Sequence, residues 1–311
     1  MTTTAATEQA PAAPRAADRL DLRAGLILVV CCAAWGINQS AVKIANAGIS
    51  PVLQAGLRSL LSGLLVFAWA RARGIPLFQR DRTLWPGILA GLMFGAEFLV
   101  IYIGLNFTSA SRGIVLLYLA PFVVAFGAHY LVPGDRLTLP KLIGLTAALV
   151  GLAVAMGEGL LAPGRPTMKG DLMFLAGAIL WGATTVLVRA STLRSASPEK
   201  TLLYQLGVSA VMLLPASALL GEPGVVNPTP AVLAAFVYTF VVVAFVTYIA
   251  WFWLVRNYPP TRISAFSFLA PVFGVMAGNV MLGEPFTPSL GMALALVAFG
   301  IYLVNRPRRR P

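Results

Sequence analysis

Ten apolar windows, each bounded by charge, glycine or proline, occupy almost the whole chain. Each is about 20 residues long, the length a helix needs to cross roughly 30 Å of hydrocarbon. In lipid, backbone N–H and C=O groups must be satisfied inside the protein, so each window reads as a helix. The windows fall at 22–44, 51–70, 84–106, 111–131, 139–157, 170–189, 199–219, 230–255, 261–281 and 287–304. The junctions around Ser109 to Arg112 and around Pro259 to Pro260 are so short that their neighbours must form tight antiparallel hairpins. Counts of nine or eleven are the alternatives.

With 58% hydrophobic and 11% charged residues and a mean hydropathy of +0.82, the chain is too apolar for an ordinary soluble domain. A net charge of +12 would elsewhere suggest nucleic acid, but the basic residues stand in short runs between windows. Their placement carries topological information instead. With both termini in the cytoplasm, 18 of the 23 Lys and Arg residues fall on the cytoplasmic side, and only Arg112, Arg165 and Lys169 lie opposite. Lys43 and Arg58 lie within the first and second windows. The expected location is therefore the inner (plasma) membrane, multi-pass, with both termini cytoplasmic. Residues 1–20 read as a flexible cytoplasmic tail without the compact apolar core of a signal peptide, and 306–311 as a basic tail. Cys31 and Cys32 show no metal-ligand spacing and read as buried thiols; no metal or other cofactor is implied.

The chain repeats itself. Leu119-Ala120-Pro121 recurs as Leu269-Ala270-Pro271, and Arg112 as Arg262, both at an offset of 150. Gly134-Asp135 matches Gly283-Glu284 at 149, Gly151 matches Gly300 at 149, and Trp35-Gly36 matches Trp181-Gly182 at 146. Landmarks in one order at nearly constant spacing divide the chain into halves, 21–158 and 159–305, of five helices each. Five is odd, so the second half enters the membrane inverted. The expected fold is all-α and integral to the membrane: ten transmembrane helices as two inverted five-helix repeats around a central cavity.

The opening Ala34-Trp35-Gly36, the stretch from Gly95 to Pro121, and the LVPGDRL and MLGEPF turns resemble the EamA-like part of the drug/metabolite transporter superfamily, over about residues 24 to 305. The pattern is similar to that of exporters of the YddG type, which carry aromatic amino acids. The resemblance implies a ten-helix exporter of amino acids or other small metabolites, and says little about which.

In inverted-repeat carriers the substrate site lies near the midplane, where interrupted helices meet. Pro121 and Pro271 mark such places: each removes an N–H about ten residues into a window and frees a carbonyl, unless they serve only as packing kinks. Candidate substrate-binding residues near helix centres are Trp35, Asn38, Gln39, Glu97, Tyr102, Tyr118, Trp181, Tyr204, Tyr248 and Trp251, with Thr184, Thr185 and Gln205 beside them. The aromatic members would suit an amphipathic metabolite through stacking and cation–π contact. Trp69 and Trp85, near helix ends, read as interfacial belt. Glu97 is the one acid placed well inside a window. It faces a substrate ammonium, titrates in proton coupling, or pairs with Lys43 or Arg58. Arg58 either meets a substrate carboxylate or snorkels to the interface. Glycines 87, 91 and 95 and Gly274 with Gly278 form small faces for close helix packing.

Partners are a small-molecule substrate and the lipid bilayer, not nucleic acid; an oligomer is not required. Alternatives in kind are a carrier of sugars, nucleotide-sugars or cationic drugs, a channel, and an intramembrane enzyme. The last is opposed by the absence of HExxH, GxSxG or any membrane-embedded acid or histidine cluster.

Overall fold

The structure, a computed structural model, describes residues 21–79, 81–132, 137–160, 167–257, 269–283 and 288–305. Both tails, Gly134-Asp135, Pro259-Pro260, Arg262 and Glu284 lie outside the described residues.

Every apolar window is helical where described. The first three are α1 (Leu22–Asn46), α2 (Pro51–Ala72) and α3 (Leu84–Gly104). The fourth is split into α4 (Ala110–Leu117) and α5 (Ala120–Leu131). Then come α6 (Leu139–Leu160), α7 (Thr167–Ala190) and α8 (Pro198–Leu219). The eighth window is one rod of α9 (Pro230–Val237), a π-helix (Tyr238–Thr247) and α10 (Tyr248–Asn257); α11 (Leu269–Leu282) and α12 (Pro288–Asn305) complete the chain. Among the described residues seven stretches are long and apolar enough to cross a membrane, and shorter apolar stretches stand at Leu139–Gly151 and Val272–Leu282. The fold is thus all-α and multi-pass, with seven to ten spans.

Local chemistry starts the helices where they start. Asp21, Ser109, Ser197 and Thr229 accept hydrogen bonds from the N–H groups of Ala24, Arg112, Lys200 and Val232, and Pro51, Pro198 and Pro230 occupy the first turn of α2, α8 and α9. The break in the fourth window follows from Pro121. Without an N–H it cannot bond the Leu117 carbonyl, and the chain tightens through Leu119 N to Leu116 O (3.0 Å) and Phe122 N to Leu119 O (2.8 Å) before α5 begins. Pro271 lies in the first described turn of α11.

The helices pack in a definite pattern. α1 lies against α11 and the α9–π–α10 rod; α7 lies against α3, α4 and α5. α8 packs on α2 and α3, α2 on the π-helix, α4 on α11, and α6 on α12. Two glycines let helix backbones meet at matching places in the two halves of the sequence. A methyl at Gly36 would stand 2.6 Å from the Ala270 carbonyl, and one at Gly182 would stand 2.8 Å from the Ala120 carbonyl. Gly87, Gly91 and Gly95 seat Tyr204, Val208 and Ser209 of α8, so that small face is a packing seam with α8.

Polar clasps join the two ends of the bundle. At the end carrying the α1–α2 loop, the Glu222 carboxylate accepts from Val52 N and Leu53 N (2.9 Å each) and from the Ser217 hydroxyl (2.7 Å). At the same end Asp171, 2% exposed, accepts from the Arg112 guanidinium and from the Thr108 hydroxyl (2.7 Å). At the opposite end Lys200 Nζ reaches both Asp81 oxygens at 2.9 Å and the Gln79 carbonyl at 3.2 Å. The Thr83 hydroxyl, which also bonds Asp81, together with Lys200 holds the Asp81 carboxyl below the usual carboxylate range.

Candidate substrate site

The interior between α1, α3, α4, α7 and the π-helix gathers side chains from both ends of the sequence. Trp35 on α1 donates from Nε1 to the Thr247 hydroxyl at 2.8 Å. Its ring meets Trp251 edge-on at 5.1 Å between centroids and Tyr248 at 6.4 Å. Tyr118, at the break before Pro121, meets Trp181 edge-on at 5.7 Å. Trp35 and Trp181 both pack on one buried cluster of Cys32, Ile114, Tyr118 and Ala270, so the two aromatic sets share a wall.

A charged group sits beside that wall. Arg58 on α2 is 1% exposed, so it does not snorkel. Its guanidinium lies 4.3 Å from the Phe98 ring centroid, and its Nε donates to the Thr239 carbonyl at 3.4 Å. The Phe98 ring in turn meets Tyr102 edge-on at 5.8 Å between centroids. Glu97, one residue before the Phe98 on which Arg58 stacks, is 5% exposed. Lys43 is elsewhere: its ammonium donates to the Thr108 carbonyl (3.5 Å) and lines an open pocket of about 420 Å³ with Asn46, Asn106 and Phe107 at the α1–α2 end.

Several buried polar atoms have no hydrogen-bond partner among the described residues: Asn38 Oδ1, Gln39 Oε1, Arg58 Nη1, Glu97 Oε2 and Tyr102 OH. Such atoms cost on the order of 1–3 kcal/mol each unless water or a ligand serves them. A concentration of them between aromatic walls is what a binding cavity needs.

Not every sequence candidate joins this group. Tyr204 packs its ring on Gly87, its hydroxyl lies 3.4 Å from that of Thr83, and it belongs with the Asp81–Lys200 clasp at the α2–α3 end. Thr184 and Thr185 bond back to the Leu180 and Trp181 carbonyls (2.8 and 3.0 Å) within their own helix. Trp85 is 77% exposed, as a belt residue should be, while Trp69 pairs edge-on with Phe245 and lies under Arg73. Sequence reasoning missed Phe98, Thr239, Thr247 and the π-helix that aims the last two. The threonines in the otherwise apolar run from Thr239 to Thr247 were the available signal. Tyr238, in the same segment, donates to the Ala34 carbonyl at 3.0 Å. Among the described residues no cluster of three His, Cys, Asp or Glu suits a metal.

Comparison with known proteins places this architecture. The profile of the EamA-like transporter family matches residues 22–157 and again 168–306. An uncharacterized transporter of Bacillus subtilis (strain 168), YvbV, is 28% identical over 289 residues, covering 91% of this chain and 92% of that protein. A probable amino-acid metabolite efflux pump of Salmonella typhimurium (strain LT2) is 28% identical over 293 residues, 90% and 93% of the two chains. One crystal structure superposes with a TM-score of 0.68 over 90% of this chain and 96% of its own, at 20% identity, which shows the fold alone. The two profile matches span nearly all of the membrane-embedded chain, so the protein is a transporter rather than an enzyme and belongs to the EamA-like transporter family.

Proposed function

We propose that this protein exports amino acids, aromatic or otherwise amphipathic, or closely related small metabolites, across the inner membrane by alternating access. The observation that carries the reading is the convergence of aromatic rings from both halves, near the break at Pro121, with buried polar atoms of the first half that have no partner among the described residues. Trp35, Tyr118, Trp181, Tyr248 and Trp251 supply the walls, and Asn38, Gln39, Glu97 and Tyr102 the polar contacts. The efflux of amino-acid metabolites ascribed to the Salmonella relative agrees with it.

Two inverted five-helix halves are the frame of the proposal. The family profile matches each half once. Number the apolar windows one to ten, and exchange each window in the first half with its counterpart five places on. The packing pattern then maps onto itself: one on eight with six on three, one on nine with six on four, and two on eight with seven on three. Gly36 beside the Ala270 carbonyl and Gly182 beside the Ala120 carbonyl are one such exchanged pair. In this frame the α1–α2 end faces outward, both termini are cytoplasmic, and a single chain is sufficient. Glu97 is the carboxylate on which proton coupling would act.

The test is uptake of labelled amino acids into liposomes holding the purified protein, with empty liposomes as control. Saturable uptake with counterflow is the expected result. No uptake of any amino acid would overturn the substrate class, and flux without saturation or counterflow would make the protein a channel. A pH gradient that drives uptake in the wild type but not in Glu97→Gln is the result expected of proton coupling.

A further inference from the structure

We infer that Arg58 and Glu97 are the two poles of a zwitterion site, Arg58 taking the carboxylate and Glu97 the ammonium of one α-amino acid. The inference rests on the export reading above and deepens it by naming what the substrate must carry.

The argument begins with charge. Arg58 and Glu97 are 1% and 5% exposed, and the Arg58 guanidinium stacks on Phe98, the residue next to Glu97. They do not neutralise each other by contact: between described residues the ion pairs are Arg112 with Asp171 and Lys200 with Asp81. Arg58 instead spends its Nε on the Thr239 carbonyl and its face on Phe98, and Nη1 has no partner among the described residues. Glu97 Oε2 is likewise unpartnered. A structural ion pair would be expected to close, because a buried charge without a partner is strongly destabilising. Two poles held apart, each with an unused hydrogen-bonding atom, are arranged for a guest that carries the opposite charge at each end.

The guest's net charge is constrained as well. The two poles sum to zero, so a ligand with no net charge and both ends ionised leaves the interior neutral. An organic cation would leave Arg58 uncompensated, and an anion would leave Glu97 so. A sugar could serve the orphaned atoms but would compensate neither charge. Arg58 presents a planar guanidinium suited to a carboxylate. The side chain of the guest has a place too: Phe98 and Tyr102 are buried in one cluster on which Trp181 and Tyr248 also pack.

The experiment is competition against labelled L-phenylalanine uptake in liposomes, using unlabelled L-phenylalanine, N-acetyl-L-phenylalanine, which lacks the ammonium, and L-phenylalaninamide, which lacks the carboxylate. Both derivatives should compete about tenfold or more weakly than the parent, since each forfeits a charge-assisted hydrogen-bond set. The variants should then cross. Glu97→Gln should abolish discrimination against the N-acetyl compound while keeping it against the amide, and Arg58→Gln should do the reverse. Equal competition by all three compounds in the wild type would overturn the zwitterion site while leaving amino-acid export standing. Equal loss of every compound in both variants would overturn it too, marking the residues as structural. If either variant fails to fold, competition on the wild type alone decides. No uptake of any amino acid would remove the export reading and this inference with it.

Discussion

Replacing Gly36 by alanine tests the helix packing that holds α1 against α11. The added methyl would meet the Ala270 carbonyl and the Gly274 nitrogen at 2.6 Å each and the Phe273 Cβ at 2.7 Å. None of these is the far end of a flexible side chain. Ordinary contact between carbons is about 3.5–4.0 Å, so the two helices must part by roughly 1 Å along their seam. Overpacking of this kind costs about 1–3 kcal/mol. Alanine in a helix interior also brings back about 1 kcal/mol of propensity, which masks part of the cost. Gly207 on α8 removes that ambiguity, because a methyl there meets nothing within 4 Å. Gly207→Ala should therefore show the propensity gain alone, and the difference between the two variants isolates the steric cost. Thermal unfolding of the purified proteins in one detergent is the assay. At about 2–4 °C per kcal/mol, Gly36→Ala should melt several degrees below Gly207→Ala. Gly182→Ala should behave as Gly36→Ala does, its methyl meeting the Ala120 carbonyl at 2.8 Å. Equal melting temperatures for Gly36→Ala and Gly207→Ala would refute the claim that this seam is tight.

Three further outcomes are expected. Asp171→Asn should destabilise by about 3 kcal/mol, because it breaks the ion pair between the buried Asp171 carboxylate and the Arg112 guanidinium, and in a double-mutant cycle with Arg112→Gln the losses should fall short of additive; strict additivity would deny the coupling. Asp81 has a lowered carboxyl pKa in the folded state, so its contribution is complete above the unfolded value of about 3.9 and disappears as pH falls through the folded value. The melting temperature of the wild type should accordingly exceed that of Asp81→Asn by a constant margin at neutral pH, a margin that shrinks only in acid below the ordinary aspartate range; a gap that closes near pH 7 would contradict this. Glu222→Ala strips two N–H groups of α2 of their acceptor and should cost about 1–2 kcal/mol, read as a lower melting temperature, and an unchanged one would show that solvent serves those groups as well.

Much of the architecture was legible because the bilayer simplifies the reading: hydrocarbon thickness sets window length, and backbone satisfaction leaves the helix as the answer. Pro121 was legible for the same reason, as a missing donor has a predictable effect within one turn. Helix neighbours were not. Glu97 had a candidate partner on each of the two preceding helices, and only packing puts Arg58 on Phe98 next to it and Lys43 at the α1–α2 end. Tyr204 resembled the other central aromatics in sequence, yet its place is decided by Gly87 on a different helix. The π-helix at Tyr238–Thr247 leaves no periodic mark in a run as uniformly apolar as this one, although it aims Thr239 at Arg58 and Thr247 at Trp35.

The clasps at either end of the α2–α8 pair bear on how the protein is made. Lys200 to Asp81 spans 119 positions, and Val52 to Glu222 spans 170. In each case the ribosome has delivered more than a hundred further residues before the bond has both of its partners. During that interval Asp81 and the first turn of α2 must be served by water, headgroups or insertion machinery. The packing of α2 on α8 therefore waits on the synthesis of α8, and neither clasp can close before it.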